Sequence, residues 1–345
     1  MSNFPSITPR ERALATLELR DIGQPSAALL SGGCWTINRQ GYTLQDLFAR
    51  PDLMADLVVA GNVVASSDIV WLGSGYHNLA ISALGGELKF RKVGPPDVKS
   101  ALLAEAGDVA KLDLSLVGRD AHIATLLHAT RLVSGRIGGK VLVGASQWGP
   151  FTLTGHLLGV EKVMRGIVKD PESVRKVLDF AVDLTVDYLA PFKTYGAEIV
   201  SIAEPSASGD LISRAQFESF ALPYLKRTVS ALKNRGLKVI VHICGNVTTR
   251  LDLLAQSGAD LISVDYKVDL ALVRQATAGR LAFSGNLNPV AVMQNGTPES
   301  IRAAAKDAYE KAGPEPGYMI MPGCDIPPTT PLENIRTLLD AARNR

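Results

Sequence analysis

Cysteine is scarce in this chain of 345 residues: Cys34, Cys244 and Cys324 are all there are. So small and odd a number excludes a disulfide framework and points to a reducing compartment, with the cytoplasm as the default. Charge of one sign is lacking too. The 36 Lys and Arg residues face 34 Asp and Glu with no basic run, so neither nucleic acid nor an anionic membrane is an expected partner. Long apolar runs are missing. Nothing approaches the ~20 residues of a membrane span, and the opening stretch through Arg12 has no apolar core of signal-peptide type, so a soluble protein is expected. A glycine-rich nucleotide fingerprint is absent as well. Gly73-Ser74-Gly75 follows an apolar run, but no third glycine sits where a Rossmann turn needs one.

What is present is alternation. Short β-branched runs at 27–30, 68–72, 140–145, 198–203, 238–244, 260–264, 281–285 and 318–321 are separated by amphipathic stretches with helix-start signals. Asp170-Pro171-Glu172-Ser173 opens one such stretch toward Leu189, and Ser213-Arg214-Ala215-Gln216 opens another toward Arg235. Strand and helix in strict alternation mean a parallel sheet. Eight strands without a linker between them predict a closed (β/α)8 TIM barrel over a single domain, residues 1–345, with a small N-terminal extension. A doubly wound open sheet is the alternative. One segment departs from the repeat: Leu84-Gly85-Gly86-Glu87-Leu88-Lys89-Phe90-Arg91 alternates and reads as an inserted hairpin.

The chemistry gathers at strand ends. In Val239-Ile240-Val241-His242-Ile243-Cys244, alternate side chains share a face, so His242 and Cys244 project together while Val241 and Ile243 face the other way. The run breaks at Gly245, which places both residues at a carboxyl end, where barrel enzymes build their active sites. Cys324 follows another apolar run, at a second carboxyl end. Taken singly, a cysteine ending a buried strand is most often a small core residue, and a histidine beside it is often a satisfied core group. Together, one imidazole and two thiols are what a zinc ion needs when a fourth position is kept open for chemistry. Cys34, in Gly32-Gly33-Cys34-Trp35, reads as packing.

The segment His242-Ile243-Cys244-Gly245-Asn246, with Gly323-Cys324-Asp325-Ile326-Pro327-Pro328 later on, resembles the zinc signature of corrinoid-dependent methyltransferases in the uroporphyrinogen decarboxylase superfamily. Weaker matches extend the resemblance over most of the chain: Thr8-Pro9-Arg10-Glu11-Arg12, Gly149-Pro150-Phe151-Thr152-Leu153, Glu204-Pro205-Ser206 and Ser284-Gly285-Asn286-Leu287. The resemblance implies a (β/α)8 barrel whose bound Zn2+ activates a small thiol of coenzyme M type. The methyl group would come from methylcobalamin, or another corrinoid, carried on a partner corrinoid protein. That partner is expected because no corrinoid-binding Asp-x-His-x-x-Gly segment occurs here. Tetrahydrofolate is the alternative methyl acceptor, and barrels of this superfamily often pair, which makes a homodimer an expectation. Porphyrinogen decarboxylases instead carry Met-Arg-Gln-Ala-Gly-Arg to hold tetrapyrrole carboxylates. The stretch here, from Leu30 to Gln40, lacks those cations.

The resemblance also frames the remaining site candidates. Glu204 ends the run Ile199-Val200-Ser201-Ile202-Ala203 in a carboxylate and is the expected fourth ligand, with catalytic contact. Asp265 is the other acidic candidate, equally readable as a helix cap or as a hydrogen-bond partner of the histidine. Asp68 matches the position of the decarboxylases' catalytic aspartate, although an aspartate opening a strand has a structural reading too. Gln147, Asn246, Asn286 and Asn288 are expected to line a substrate cavity, each with a capping or turn reading beside it.

Overall fold

Residues 7–343 are described in the computed structural model of the chain. Ten strands occur among them: β1 (Ser26–Ala27), β2 (Ile69–Leu72), β3 (Leu88–Lys89), β4 (Asp97–Val98), β5 (Leu142–Trp148), β6 (Ile199–Ala203), β7 (Lys238–Ile243), β8 (Leu261–Val264), β9 (Ala282–Leu287) and β10 (Tyr318–Pro322). β3 and β4 form a small antiparallel pair of their own, in the region expected to hold a hairpin. The other eight make one parallel sheet in the order β1-β10-β9-β8-β7-β6-β5-β2, curled with helices on its outside.

That sheet is open, which corrects the expected closed TIM barrel. β1 and β2 stand at its two ends and share no ladder. The cause is local. β1 is only two residues long, and the backbone groups that would have bonded to β2 are taken by side chains. The Asp68 carboxylate accepts the Ala27 N–H at 3.0 Å, Ser67 Oγ accepts the Leu29 N–H at 3.1 Å, and Trp71 Nε1 donates to the Leu29 carbonyl at 2.8 Å. A single backbone bond crosses the seam, from the Asp68 N–H to the Ala27 carbonyl at 3.0 Å. The last helix, Leu332–Arg343, straps the outside. Arg336 Nε donates to the Val64 carbonyl at 2.7 Å, and Arg343 donates to the Ser66 carbonyl.

Two cores follow from strand periodicity. Ile69, Trp71, Leu142, Ile199, Ile240, Leu261, Ala282, Met319 and Met321 fill the space inside the curl, while neighbours of opposite parity such as Val143, Val200, Val241 and Ile262 pack on the helices. The helix Pro9–Leu17 closes the inner core at the strands' amino ends with Ala13 and Leu17. Its capping box, Thr8 with Glu11, fixes where it starts. Arg10 then reaches Glu198 and Arg12 reaches Asp68, both just ahead of a strand.

The expected helix from 171 runs to Leu189 and is capped by Asp170. The one expected from 214 to 235 is broken at Ala221 into Arg214–Phe220 and Leu222–Lys233, because Pro223 leaves no N–H to continue the ladder. No helix among the described residues is long and apolar enough to cross a membrane.

Candidate metal centre

At the carboxyl end of β7, His242 and Cys244 stand on the parity of Ile240, facing into the curl. Cys324 arrives from the turn after β10. His242 Nε2 lies 3.1 Å from Cys244 Sγ, which lies 3.1 Å from Cys324 Sγ, and the three ligand atoms fall within 4.8 Å of one another. The sulfurs are too far apart for a disulfide, whose bond is about 2.05 Å. Around a tetrahedral ion with ordinary metal–sulfur bonds, two thiolates stand about 3.7 Å apart, so small side-chain movements would admit one. The donor set and its geometry fit a metal ion.

Two glycines make the convergence possible. Gly245, at φ +81°, turns the chain directly after Cys244, and a Cβ there would fall 2.5 Å from Asp210 Oδ2. Gly323 lets the segment before Cys324 approach the β8 loop, since a Cβ would stand 2.5 Å from the Tyr266 backbone nitrogen. Asp265 ties these turns together, accepting from the Gly245 N–H at 2.9 Å and the Lys267 N–H at 3.0 Å. Asn286 donates to the Asp265 carbonyl at 3.0 Å. The group facing His242 Nδ1 is Ser263 Oγ at 3.1 Å, from the residue that pairs with His242 in the next strand. The sequence reading missed Ser263, although register with the histidine would have found it. Between the thiols, the hydrogen bond from Cys244 and then the imidazole of His242 pull Cys324 down, while the same bond and burial push Cys244 up.

The structure does not bring the other candidates into this group. Glu204 shares the parity of Ile202, so it heads outward to the helix Pro150–Leu158 and caps it. Its oxygens accept from the Phe151 N–H at 2.9 Å and the Thr152 N–H at 2.8 Å. Burial raises its carboxyl to about 7 against the pull of those bonds. Gln147 likewise has helix-facing parity, fully buried, with Oε1 on the Trp148 N–H. Asp68 lies at the opposite, amino end of the strands, bonded to Arg12, Ser26 and Ala27. Asn246 is exposed and bonds the Thr248 N–H. Asn288 accepts from the Val290 and Ala291 N–H groups and, with Asn286, Tyr266 and Lys267, borders a groove of about 420 Å³. Size alone does not mark the site. A groove of about 1090 Å³ lies between the helices Pro298–Ala312 and Leu332–Arg343, with none of the soft ligands on it.

A second set of rings borders the same mouth. Trp148 has the inward parity of Leu142 and Ser146, and its ring lies 4.5 Å from that of His77 and 6.1 Å from that of His156. His77 Nε2 meets Ser146 Oγ at 2.9 Å. Desolvation, then the neighbouring His156, lower His77 to about 4, so it is neutral at pH 7. The sign follows directly: the unfolded chain takes up this proton near pH 6.5 and the folded chain does not, so the stability tied to His77 is complete above pH 6.5 and drains away toward pH 4. Unfolding free energies from urea titrations across that window should fall more steeply for the native chain than for His77→Gln, by up to about 1.4 kcal/mol per pH unit.

Comparison with known proteins decides the family. The model of the uroporphyrinogen decarboxylase (URO-D) family matches residues 35–345. The chain belongs to that family. It is 30% identical to the methylcobamide:CoM methyltransferase MtbA of Methanosarcina mazei over 98% of both chains. A uroporphyrinogen decarboxylase of Myxococcus xanthus is 29% identical over 86% of this chain and 84% of its own. Among solved structures, a methyltransferase from Methanosarcina mazei superposes with a TM-score of 0.85 at 26% identity, covering 98% of this chain and 99% of the other. Within the URO-D family, the resemblance to the methylcobamide:CoM methyltransferase MtbA thus covers 98% of the chain.

Proposed function

We propose that this chain is a zinc-dependent methyltransferase moving a methyl group between a methylated corrinoid protein and a small thiol, as coenzyme M is in the name of its relative MtbA. The observation that carries the reading is the convergence of His242, Cys244 and Cys324 at one mouth of the sheet. These three residues would hold the ion and leave a fourth place open. Bound there, zinc supplies the positive charge that keeps an incoming thiol ionised at neutral pH. The chain's own residues do the rest. Ser263 fixes the ring of His242, and Asp265 and the two glycine turns hold the sulfurs in place. The thiolate sulfur then attacks the methyl carbon, and the cobalt–carbon bond breaks with its electron pair left on cobalt. Direct displacement of this kind needs orientation more than acid–base help. Glu204 stands one strand away, its N–H on the His242 carbonyl at 2.8 Å, with its carboxylate engaged by the helix.

A porphyrinogen decarboxylase reading is less well supported. Asp68 is ion-paired at the far end of the strands, and the Met-Arg-Gln-Ala-Gly-Arg motif of the decarboxylases is absent, with Arg39 alone in the corresponding stretch. The deciding assay offers methylcobalamin with coenzyme M, homocysteine or tetrahydrofolate to protein purified without chelator. We expect about one zinc per chain and methylation of a thiol. Transfer to tetrahydrofolate alone, or absence of stoichiometric zinc, would overturn the proposal.

A further inference from the structure

The ring cluster of Trp148, His77 and His156 is not used by the candidate metal centre, although Trp148 also packs against the helix-side core. Register places it with respect to the soft ligands: Trp148 pairs with Ala203, and Ala203 pairs with His242. Two strand spacings therefore separate Trp148 from His242 at the same height, about 10 Å along the sheet. Both side chains have inward parity. Ten ångströms is the span of a small molecule with a reacting sulfur at one end.

The indole nitrogen and one imidazole nitrogen of the cluster are committed. Trp148 Nε1 donates to Asn78 Oδ1 at 2.7 Å, Asn78 Nδ2 donates to the Pro96 carbonyl at 2.9 Å, and His77 Nε2 is on Ser146. A ligand meets the ring faces, with the remaining imidazole nitrogens at their edges. All three residues are partly exposed, in a layer where Ser146, Ser201, Ser263 and Ser284 are buried. Burial lowers both imidazoles, His77 to about 4, which leaves them uncharged at pH 7. Uncharged rings hold a flat apolar group by stacking and dispersion and offer a sulfonate or carboxylate no ion pair.

We propose that Trp148, with His77 and His156, forms the subsite for the non-reacting end of the methyl acceptor, and that this end is an uncharged, ring-bearing tail. The proposal rests on the thiol-methylating reading and narrows it: the acceptor's tail differs from the short sulfonate of coenzyme M. Trp148 touches the tail, and His77 sets the indole's position from the Ser146 side.

The test reads the tail apart from the metal. Methyl thioethers are products of the reaction whose sulfur carries no thiol proton, so their binding reports the subsite more than thiol activation. Methyl 2-phenylethyl sulfide and 2-(methylthio)ethanesulfonate are titrated by calorimetry and by tryptophan emission against the native chain, Trp148→Ala and Trp148→Phe, each checked for metal content and thermal midpoint. We expect the aryl thioether to bind at least about tenfold more tightly than the sulfonate. Trp148→Ala should bring the two within about twofold, and Trp148→Phe should keep most of the preference. Equal or tighter binding of the sulfonate overturns the proposal, as does an equal loss for both ligands in Trp148→Ala or a stronger preference for a trimethylammonium-tailed sulfide. Should the thioethers behave as expected while no thiol is methylated from methylcobalamin, the subsite stands and the transfer reading falls. Thiols methylated with no tail preference give the reverse.

Discussion

Cys324→Ala should lower thiol methylation on the order of a thousandfold and leave the chain folded. The size follows from what the residue does in the proposed site. A free thiol is only a few per cent ionised at pH 7, and without a cation to bind it the acceptor loses both its charge and its position before the methyl carbon. Retained folding follows from where Cys324 sits. It is half-buried in a turn after β10, outside both cores, and the sheet beneath is built by Met319, Ile320 and Met321. A structural metal would behave differently, since its removal would be read as lost stability. The checks are elemental analysis, circular dichroism and single-turnover transfer from methylcobalamin. Zinc should fall well below one per chain while the far-ultraviolet spectrum stays native. Cys34→Ala is the control. Cys34 is buried beside Gly75 with its thiol pushed up to about 12 by desolvation, so it should keep both zinc and turnover.

The grouping of His242 with Cys244 was legible because period two is a strong constraint. Once Val241 and Ile243 were assigned to the helix side, His242 and Cys244 had to share the inner face. The same rule explains Gln147 and Glu204. The strand drawn to Ala145 in fact continues to Trp148, so counting from Leu142 puts Ser146 and Trp148 inside and Gln147 outside. Counting from Ile199 likewise sends Glu204 toward the helix whose first N–H groups it caps. A residue at a strand end is not thereby a residue of the mouth; its parity has to agree. Trp148 is the counterpart in parity, lying beyond Ala145 on the inner face.

The open seam was not legible, because nothing in a β-branched pattern says whether the first and last strands will bond. Ala27–Leu30 reads as an ordinary strand. Whether its N–H groups face a neighbouring backbone or a carboxylate depends on Asp68 and Ser67, which belong to a segment far along the chain. The decarboxylase-like reading of Asp68 fails for the same reason. The residue that opens β2 is spent on joining β1 to it, at the end of the strands away from the thiols.

That role predicts the largest loss of stability. Asp68 is fully buried, and its carboxylate takes two bonds from the Arg12 guanidinium, at 2.8 and 3.2 Å, with Ser26 Oγ at 2.9 Å and the Ala27 N–H at 3.0 Å. Asp68→Ala would leave a buried guanidinium without its partner and two donors unpaired, where the sheet has only one backbone bond to hold it. Breaking a buried pair from one side costs about 3–5 kcal/mol, which would move a urea midpoint by about 1 M or more. Arg12→Ala should cost less, since Arg343 stays 3.6 Å from the carboxylate and Ser26 and Ala27 still donate to it. The double replacement Arg12→Met with Asp68→Leu should recover much of the loss, because Arg343 keeps Asp340 as a partner at 3.7 Å and the apolar pair can join Ala13 and Leu17 beneath the inner core. Transfer by the folded fraction of Asp68→Ala should stay close to native, since the thiols lie at the other end of the strands. A fall in turnover larger than the fall in folded protein would return Asp68 to the chemistry, and a stable Asp68→Ala chain would mean that the seam is held by the C-terminal helix and Trp71 instead.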